Sequence, residues 1–171
     1  MNALLEISNI YPELCAIENI VKEKRTPVLV SGVTGAQKNH LIYSVAKKLG
    51  KKALVITGDT SETNVIKEDL EQLFNNNVLL FKQKEYVFYD VEISTKDIEC
   101  ERIKTLASLK DASAIVATAS SLMQYTLPKE MFEKYRFGIK VSDEFDLTDL
   151  SKKLVEMGYK RVSQIEAMGQ F

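Results

Sequence analysis

Short apolar runs rich in β-branched residues alternate along the chain with longer amphipathic segments. The apolar runs lie at 28–31, 53–57, 78–81 and 114–118. Apolar residues recur with helical spacing over 12–24, 40–49, 60–74 and 97–110. Strands that alternate with helices in this way are typical of a parallel sheet with right-handed crossovers. The pattern therefore predicts an α/β fold in which helices flank a parallel sheet.

The alternation changes after Thr126, where the dipeptide Leu127-Pro128 interrupts it. The pattern beyond this point predicts a helix at 128–135, a strand at 137–141 and a second helix at 147–157. We expect a first domain over residues 1–126 and a partial α+β second domain over residues 127–171. We also expect the chain to stop within this second domain, so that the neighbours of its strand are missing.

The composition excludes several classes of protein. The 171 residues carry 23 basic and 24 acidic side chains, a net charge of −1, which counts against a general nucleic-acid-binding surface. No apolar stretch approaches the ~20 residues of a membrane span, and the N-terminus lacks the basic region of a signal peptide. We therefore expect a cytoplasmic protein without membrane contact.

The cysteines and the histidine do not form a recognisable metal or catalytic site. Cys15 and Cys100 stand far apart and show none of the spacings of a zinc site. We expect no metal, and two thiols that are reduced and buried. The sole histidine, His40, would have to serve any Ser-His-Asp triad, but its place in the first turn of a predicted helix favours a surface or capping role.

The segment that follows the first apolar run is similar to a phosphate-binding P-loop, which has the pattern G-x-x-x-x-G-K-[ST] between a strand and a helix. Gly32 and Lys38 hold their places in this pattern, and Gly35 lies between them. Gln37 stands where the second glycine belongs, and Asn39 replaces the hydroxyl residue. The sequence thus predicts a degenerate nucleotide loop.

Both replacements oppose nucleotide binding. In a working P-loop, the glycine at this position lets the backbone pass close to the phosphates. The side chain of Gln37 would crowd the phosphates there. The lost hydroxyl is a ligand of Mg²⁺, for which the amide of Asn39 is a poor substitute. The predicted strands also lack the acidic pair that a helicase-type ATPase uses. We expect a loop retained for its turn, without ATP hydrolysis; weak nucleotide binding by a helicase-type domain is the alternative.

A third hypothesis is DNA binding by the aromatic cluster at 86–89, together with Ser120 and Ser121. Aromatic rings can stack on bases. This cluster, however, is surrounded by the acids Glu85, Asp90 and Glu92 rather than by basic residues. We therefore favour a loop over 85–96 that packs against the sheet.

Four motifs in a fixed order resemble the bacterial transcription-repair coupling factors (Mfd). The segment 31–38 is a degenerate form of the GVTGTGKT loop of the excision-repair helicase UvrB. The others are similar to the family's YD…DI…ERL..L, VPVSTLMQ and GY..V.QV…GEF stretches, and lie at 89–106, 117–124 and 158–171. The resemblance covers nearly the whole chain from about residue 10.

The resemblance implies an N-terminal UvrB-like module with a helicase-like domain 1A that has no working ATP site. Members of the family displace stalled RNA polymerase and recruit UvrA for nucleotide excision repair. The whole protein is an ATP-dependent DNA translocase, but ATP, Mg²⁺, DNA and RNA polymerase are engaged by downstream domains. The resemblance therefore implies no cofactor for this chain and no enzymatic activity of its own.

The second domain is implied to bind UvrA, weakly here because the chain ends at Phe171, and to contact the C-terminal part of the longer protein. Lys160 and Arg161 are the basic positions expected at that face. Arg161 matches an arginine in the YARNDQ stretch of UvrB and is the first candidate for the UvrA contact. The alternative interpretation, a solvated arginine with no binding role, is equally open. A truncated domain with a free strand edge would also allow self-association.

Overall fold

The computed structural model describes residues 12–84 and 92–171. Its helices are α1 (Pro12–Lys22), α2 (Ala36–Leu49), α3 (Thr60–Leu73), α4 (Glu92–Ser108), α5 (Ala119–Met123), α6 (Lys129–Tyr135) and α7 (Leu147–Glu156). Its strands are β1 (Ala53–Thr57), β2 (Val78–Phe81) and β3 (Ala114–Thr118). The described residues form two compact units, one of residues 12–83 with 102–123, the other of residues 84 and 92–101 with 124–171.

The strands of the first unit form a parallel sheet in the order β1-β3-β2. Val116 in the central strand lies opposite Val55 on one side and Leu80 on the other. The prediction of an α/β fold with a parallel sheet is confirmed. Because β3 has neighbours on both sides, its residues are the most deeply buried, and Ala114 and Val116 have no exposed surface.

Helices α2 and α3 cover one face of this sheet and close the core. The buried core residues are Tyr43, Ala46, Ile66, Leu70, Phe74, Val78, Ala114 and Val116. The rings of Tyr43 and Phe74 meet edge to face, with centroids 4.9 Å apart. This contact joins α2 to the end of α3 above the sheet.

Local signals fix where α2 ends and where α3 begins. Gly50 follows α2 with φ 60° and ψ 32°, and the N–H of Lys51 returns to the carbonyl of Ala46 at 3.0 Å. This arrangement ends a helix at a glycine in the left-handed conformation. Asp59 caps α3, because its carboxylate accepts the N–H of Glu62 at 2.8 Å.

The basic end of α2 is tied to its surroundings. Lys48 lies 2.9 Å from the buried carboxylate of Glu18 in α1. Lys52 donates to the carbonyls of Leu109 and Lys110 just after α4. These contacts place positive charge against an acid and against a helix C-terminus, where it is favourable.

The predicted strand at 28–31 is wrong. The structure has no strand there, and the side chains of Leu29 and Val30 are 94% and 40% exposed. A strand requires a neighbour for its backbone groups, and within the described residues no strand lies beside this segment. An apolar β-branched run is therefore not sufficient by itself to form a strand.

The predicted strand at 137–141 is also wrong. Within the described part of the second unit, strand-like pairing is limited to an isolated parallel bridge between Lys160 and Gln170. Residues 137–141 thus have no strand partner in that described part. The domain boundary after Thr126 stays a prediction.

Two smaller expectations also need correction. Residues 92–96, expected in a loop, belong to α4, while 85–91, with the aromatic cluster, lie outside the described residues. Cys15 is exposed and Cys100 half-buried, so neither is a buried thiol. Among the described helices, none is both long and apolar enough to cross a membrane.

Candidate functional site: the glycine turn before α2 and the groove beside Arg161

The degenerate nucleotide loop is a turn that leads directly into α2. Gly32 and Gly35 have φ values of 81° and 50°, in the left-handed region that favours glycine. Gln37 lies beyond the turn, inside the first turn of α2, where its side chain is exposed. The chain therefore keeps glycine at the two positions where its own turn requires it.

Two backbone amides in the first turn of α2 donate back to the glycine turn. The N–H of Gln37 donates to the carbonyl of Thr34 at 3.2 Å, and the N–H of Lys38 donates to the carbonyl of Gly35 at 3.1 Å. Amides at this place are the groups that a phosphate-binding loop directs at its anion. In this structure they close the turn upon itself.

The lysine of the motif is paired as well. The Nζ atom of Lys38 lies 2.7 Å from Oε1 of Glu62, near the start of α3. Both side chains are about two-fifths exposed, at 43% and 42%. The carboxylate offsets the positive charge that would otherwise attract a phosphate.

Asn39 occupies the position of the Mg²⁺-binding hydroxyl, but its amide points into the protein. The residue is 3% exposed, and its Nδ2 donates to Oδ2 of Asp69 at 2.7 Å. Its Oδ1 is buried without a hydrogen-bond partner among the described residues. Asn39 thus joins α2 to α3.

His40 does not have the surface or capping role expected from the sequence. Its ring is half-buried, with Nδ1 3.4 Å from the hydroxyl of the fully buried Ser44. The spacing of four residues places both side chains on the inner side of α2. Asn39, His40 and Ser44 together make a polar strip beside the apolar core.

A cleft of about 550 Å³ lies next to the turn. All of β1 lines it, together with aliphatic residues of α2. Lys38 and Glu62 also contribute to its wall, already paired with each other. The lining is mainly aliphatic, which suits apolar groups rather than a triphosphate.

Arg161 lies in the second unit, in a groove of about 640 Å³. One wall is the side of α7 that carries Leu147, Ser151 and Val155, and Phe171 contributes to the other. Leu147 and Val155 are 77% and 57% exposed. The groove therefore combines a guanidinium group with exposed apolar surface.

The structure separates the two basic residues that the sequence grouped together. The bridge between the chain segments uses Lys160, whose N–H donates to the carbonyl of Gly169 at 2.8 Å and whose carbonyl accepts the N–H of Phe171 at 3.0 Å. Neighbouring side chains on an extended segment point to opposite faces. Arg161 lines the groove, and Lys160 is not among the residues that do.

Sequence reasoning missed the exposed apolar face of α7. The helical spacing predicted four residues to point inward, namely Leu147, Leu150, Leu154 and Met157. The last three are half-buried, but Leu147 is exposed. The available signal was the spacing of Leu147 and Val155, which share one helix side with Ser151. That side forms the groove wall.

Among the described residues no group of three or more His, Cys, Asp or Glu side chains is arranged to hold a metal ion. The ordinary ligands of a structural or catalytic metal are therefore not gathered in these segments. Neither the turn before α2 nor the groove contains such a group.

No family model matches the chain. Curated relatives named transcription-repair-coupling factor do match it. The protein of Bacillus subtilis (strain 168) is 23% identical over 159 residues, which cover 91% of this chain and 14% of the relative. That of Staphylococcus aureus (strain USA300) is 26% identical over 147 residues, which cover 84% and 12%. That of Staphylococcus haemolyticus is 22% identical over 147 residues, which cover 84% and 13%.

The matched region takes up most of this chain but little of each relative. The chain spans about one eighth of the length of these curated relatives, between 12% and 14%. The resemblance to transcription-repair-coupling factors that the sequence motifs indicated is thereby confirmed.

Proposed function

We propose that this chain, which is related to the transcription-repair coupling factors, is a non-catalytic interaction module that recruits the repair protein UvrA. The observation that carries the non-catalytic part is the pairing of the groups at the start of α2. The amides of Gln37 and Lys38 donate to carbonyls of the glycine turn, and Lys38 is paired with Glu62. Displacement of stalled RNA polymerase and ATP-driven movement on DNA are assigned to other segments of the longer relatives.

A nucleotide would have to disrupt several contacts in order to bind at the turn. It would have to free the amides of Gln37 and Lys38 and draw Lys38 away from Glu62. The Mg²⁺ ion would meet Asn39, whose amide nitrogen is bound to Asp69. A partly exposed ion pair is worth only about 0–1 kcal/mol, so the lost ligands matter more than this pair.

Calorimetric titration with Mg-ATP tests the absence of nucleotide binding. We expect no binding heat for the native chain. The variant Gln37→Gly/Asn39→Thr restores the P-loop pattern and serves as the comparison. Micromolar binding by the native chain that disappears in Lys38→Ala would overturn the non-catalytic proposal.

The groove beside Arg161 is the surface that we assign to UvrA. Its lining carries two cationic groups, those of Arg161 and Lys152, beside the carboxylate of Glu156. Leu147 and Val155 offer apolar contact. Arginine and aromatic residues are frequent at the centres of protein interfaces. Arg161 and Phe171 fit this description.

Binding of this chain to immobilised UvrA tests the assignment. We expect weak binding that Arg161→Glu lowers by about tenfold or more, the effect of losing an interface hot spot. Lys160→Glu is the matched control, since it makes the same charge change one residue away but outside the groove. Equal losses in both variants would indicate general electrostatic attraction and would contradict the assignment.

The length of the chain provides a second comparison. A version that continues past Phe171, as the relatives do, should bind UvrA more tightly than this chain. Equal affinity of the two versions would show that the residues present here already form the complete contact.

A further inference from the structure

Among the residues that the structure describes, no strand pairs with one edge of β1. Within the described residues its only strand neighbour is β3. The N–H of Ala53 donates to the carbonyl of Ser113 at 3.1 Å, just before β3. Backbone groups alternate sides along a strand, so those of Leu54 and Ile56 face away from β3.

The same two residues expose apolar side chains. Leu54 is 56% exposed and Ile56 is 55% exposed. Proteins usually protect such an edge with charges, proline or a covering element, because it can pair with another chain. In the described part of this unit no second strand pairs with β1, and the apolar cleft runs along it.

We propose that this edge pairs with the same edge of a second copy of the chain, in antiparallel orientation. The register centred on Val55 places Leu54 opposite Ile56 of the partner copy, and the reverse. Because the backbone groups of Leu54 and Ile56 face the partner strand, these two residues form a hydrogen-bonded antiparallel pair and exchange both N–H···O=C hydrogen bonds. The two sheets would then be continuous, and the interface would be the self-complementary kind that a two-fold axis requires.

Charge complementarity favours this register over its neighbours. In this register Lys51, just before β1, lies opposite Asp59 of the partner copy, just after its β1. The two-fold symmetry forms the same pair a second time, with the two copies exchanged. Lys51 is exposed, and the position of the exposed Asp59 carboxylate is fixed by the N–H of Glu62. A shift by two residues would place Lys51 opposite Thr57 or Ser61 instead.

Helix α2 would add apolar contact to this interface. A two-fold axis normal to the sheet leaves α2 of both copies on the same face. Leu41, Val45 and Leu49 are spaced by four residues, line the cleft beside β1 and are half-buried. Their remaining exposed surface would be covered by α2 of the partner copy.

This surface differs from the one that the sequence suggested for self-association, which was the truncated second domain. The edge of β1 belongs to the first unit, whereas Arg161 and the groove belong to the second. The two surfaces can therefore be tested separately.

Sedimentation velocity over a range of concentrations tests the proposal on the 171-residue chain. We expect a concentration-dependent dimer whose dissociation constant rises about tenfold or more in Leu54→Lys, because a charge at an edge strand opposes pairing. Leu29→Lys is the matched control, since Leu29 is 94% exposed and lies outside the sheet. A far-UV circular dichroism spectrum confirms that each variant is folded.

Amide hydrogen exchange gives a second readout that is specific to the edge. The N–H groups of Leu54 and Ile56 should exchange more slowly as the concentration rises, and Lys51→Glu should weaken the dimer. A monomer at all concentrations, a dimer insensitive to Leu54→Lys, or a dimer equally weakened by Leu29→Lys would overturn the proposal. A dimer disrupted only by Arg161→Glu would belong to the groove and would overturn it as well.

Discussion

The guanidinium group of Arg102 lies 4.0 Å from the centre of the Phe81 ring, at the end of β2. Arg102 is 3% exposed. Its Nη1 donates to the carbonyl of Lys82 at 2.5 Å and to that of Ser121 at 3.3 Å. One side chain from α4 thus joins the segment just after β2 to α5 by donating to a carbonyl of each.

This arrangement predicts that Arg102→Lys is costly in spite of the conserved charge. Lysine has no planar fork and cannot donate to both carbonyls while it stacks on Phe81. We expect the free energy of unfolding to fall by about 2 kcal/mol, as measured by urea denaturation. Arg136→Lys, at an exposed position, should change it by less than about 0.5 kcal/mol; equal effects would show that Arg102 does not stabilise the fold through these contacts.

The edge-to-face contact of Tyr43 with Phe74 predicts a large effect of truncation. Tyr43 is 1% exposed, so Tyr43→Ala removes a buried ring and leaves a cavity. We expect a loss of about 3 kcal/mol or more in the free energy of unfolding. Tyr125→Ala is the control, because Tyr125 is 97% exposed; a similar loss there would contradict the assignment of the core.

The left-handed conformation of Gly50 predicts a cost for any side chain. Gly50→Ala should lower the free energy of unfolding by about 1 kcal/mol, although a Cβ atom at Gly50 would meet no atom within 4 Å. Gly138 has similar free space but no positive φ. Gly138→Ala should therefore be neutral or slightly stabilising. Thermal denaturation of both variants measures the difference, and equal behaviour would refute the role of the backbone conformation.

Asp146 predicts a pH dependence of α7. The backbone N–H groups of Asp149 and Thr148 donate to its carboxylate and lower its pKa below the ordinary value of 3.8. The stabilisation is therefore fully present above the ordinary value, and it is lost as the pH falls through the lowered pKa of the folded state. The helical signal of α7, followed by NMR during an acid titration, should decrease in that range.

Asp146→Asn separates charge from capping in this experiment. Asparagine caps a helix about as well as aspartate but does not titrate. The variant should keep α7 and lose this pH dependence, whereas Asp146→Ala should weaken α7 at neutral pH. An unchanged titration in Asp146→Asn would rule out this carboxylate as the titrating group.

The sequence predicted most of the elements that depend on local signals. The strand at 53–57 was predicted with the bounds that the structure shows. Gly50 and Asp59 mark helix ends because glycine tolerates a left-handed conformation and aspartate accepts a backbone N–H. These signals act over a few residues and need no information about distant parts of the chain.

The candidate site was predicted only as a set of residues. The sequence identified Gln37 and Asn39 as departures from the P-loop pattern. It did not predict that Lys38 would pair with Glu62, 24 residues away, or that Asn39 would be buried against Asp69. It grouped Lys160 with Arg161, although only Arg161 lines the groove. Such contacts depend on how separate helices pack.

The sequence by itself determined the α/β alternation, the parallel sheet, the C-terminal end of α2 and the start of α3, but it placed the start of α2 at His40 rather than at Ala36. Tertiary structure decided which apolar runs became strands. The run at 114–118 lies between two neighbours and is buried, while the run at 28–31 has none among the described residues and leaves Leu29 exposed. The physical reason is that a strand is stabilised by hydrogen bonds to another strand, which its own sequence does not supply.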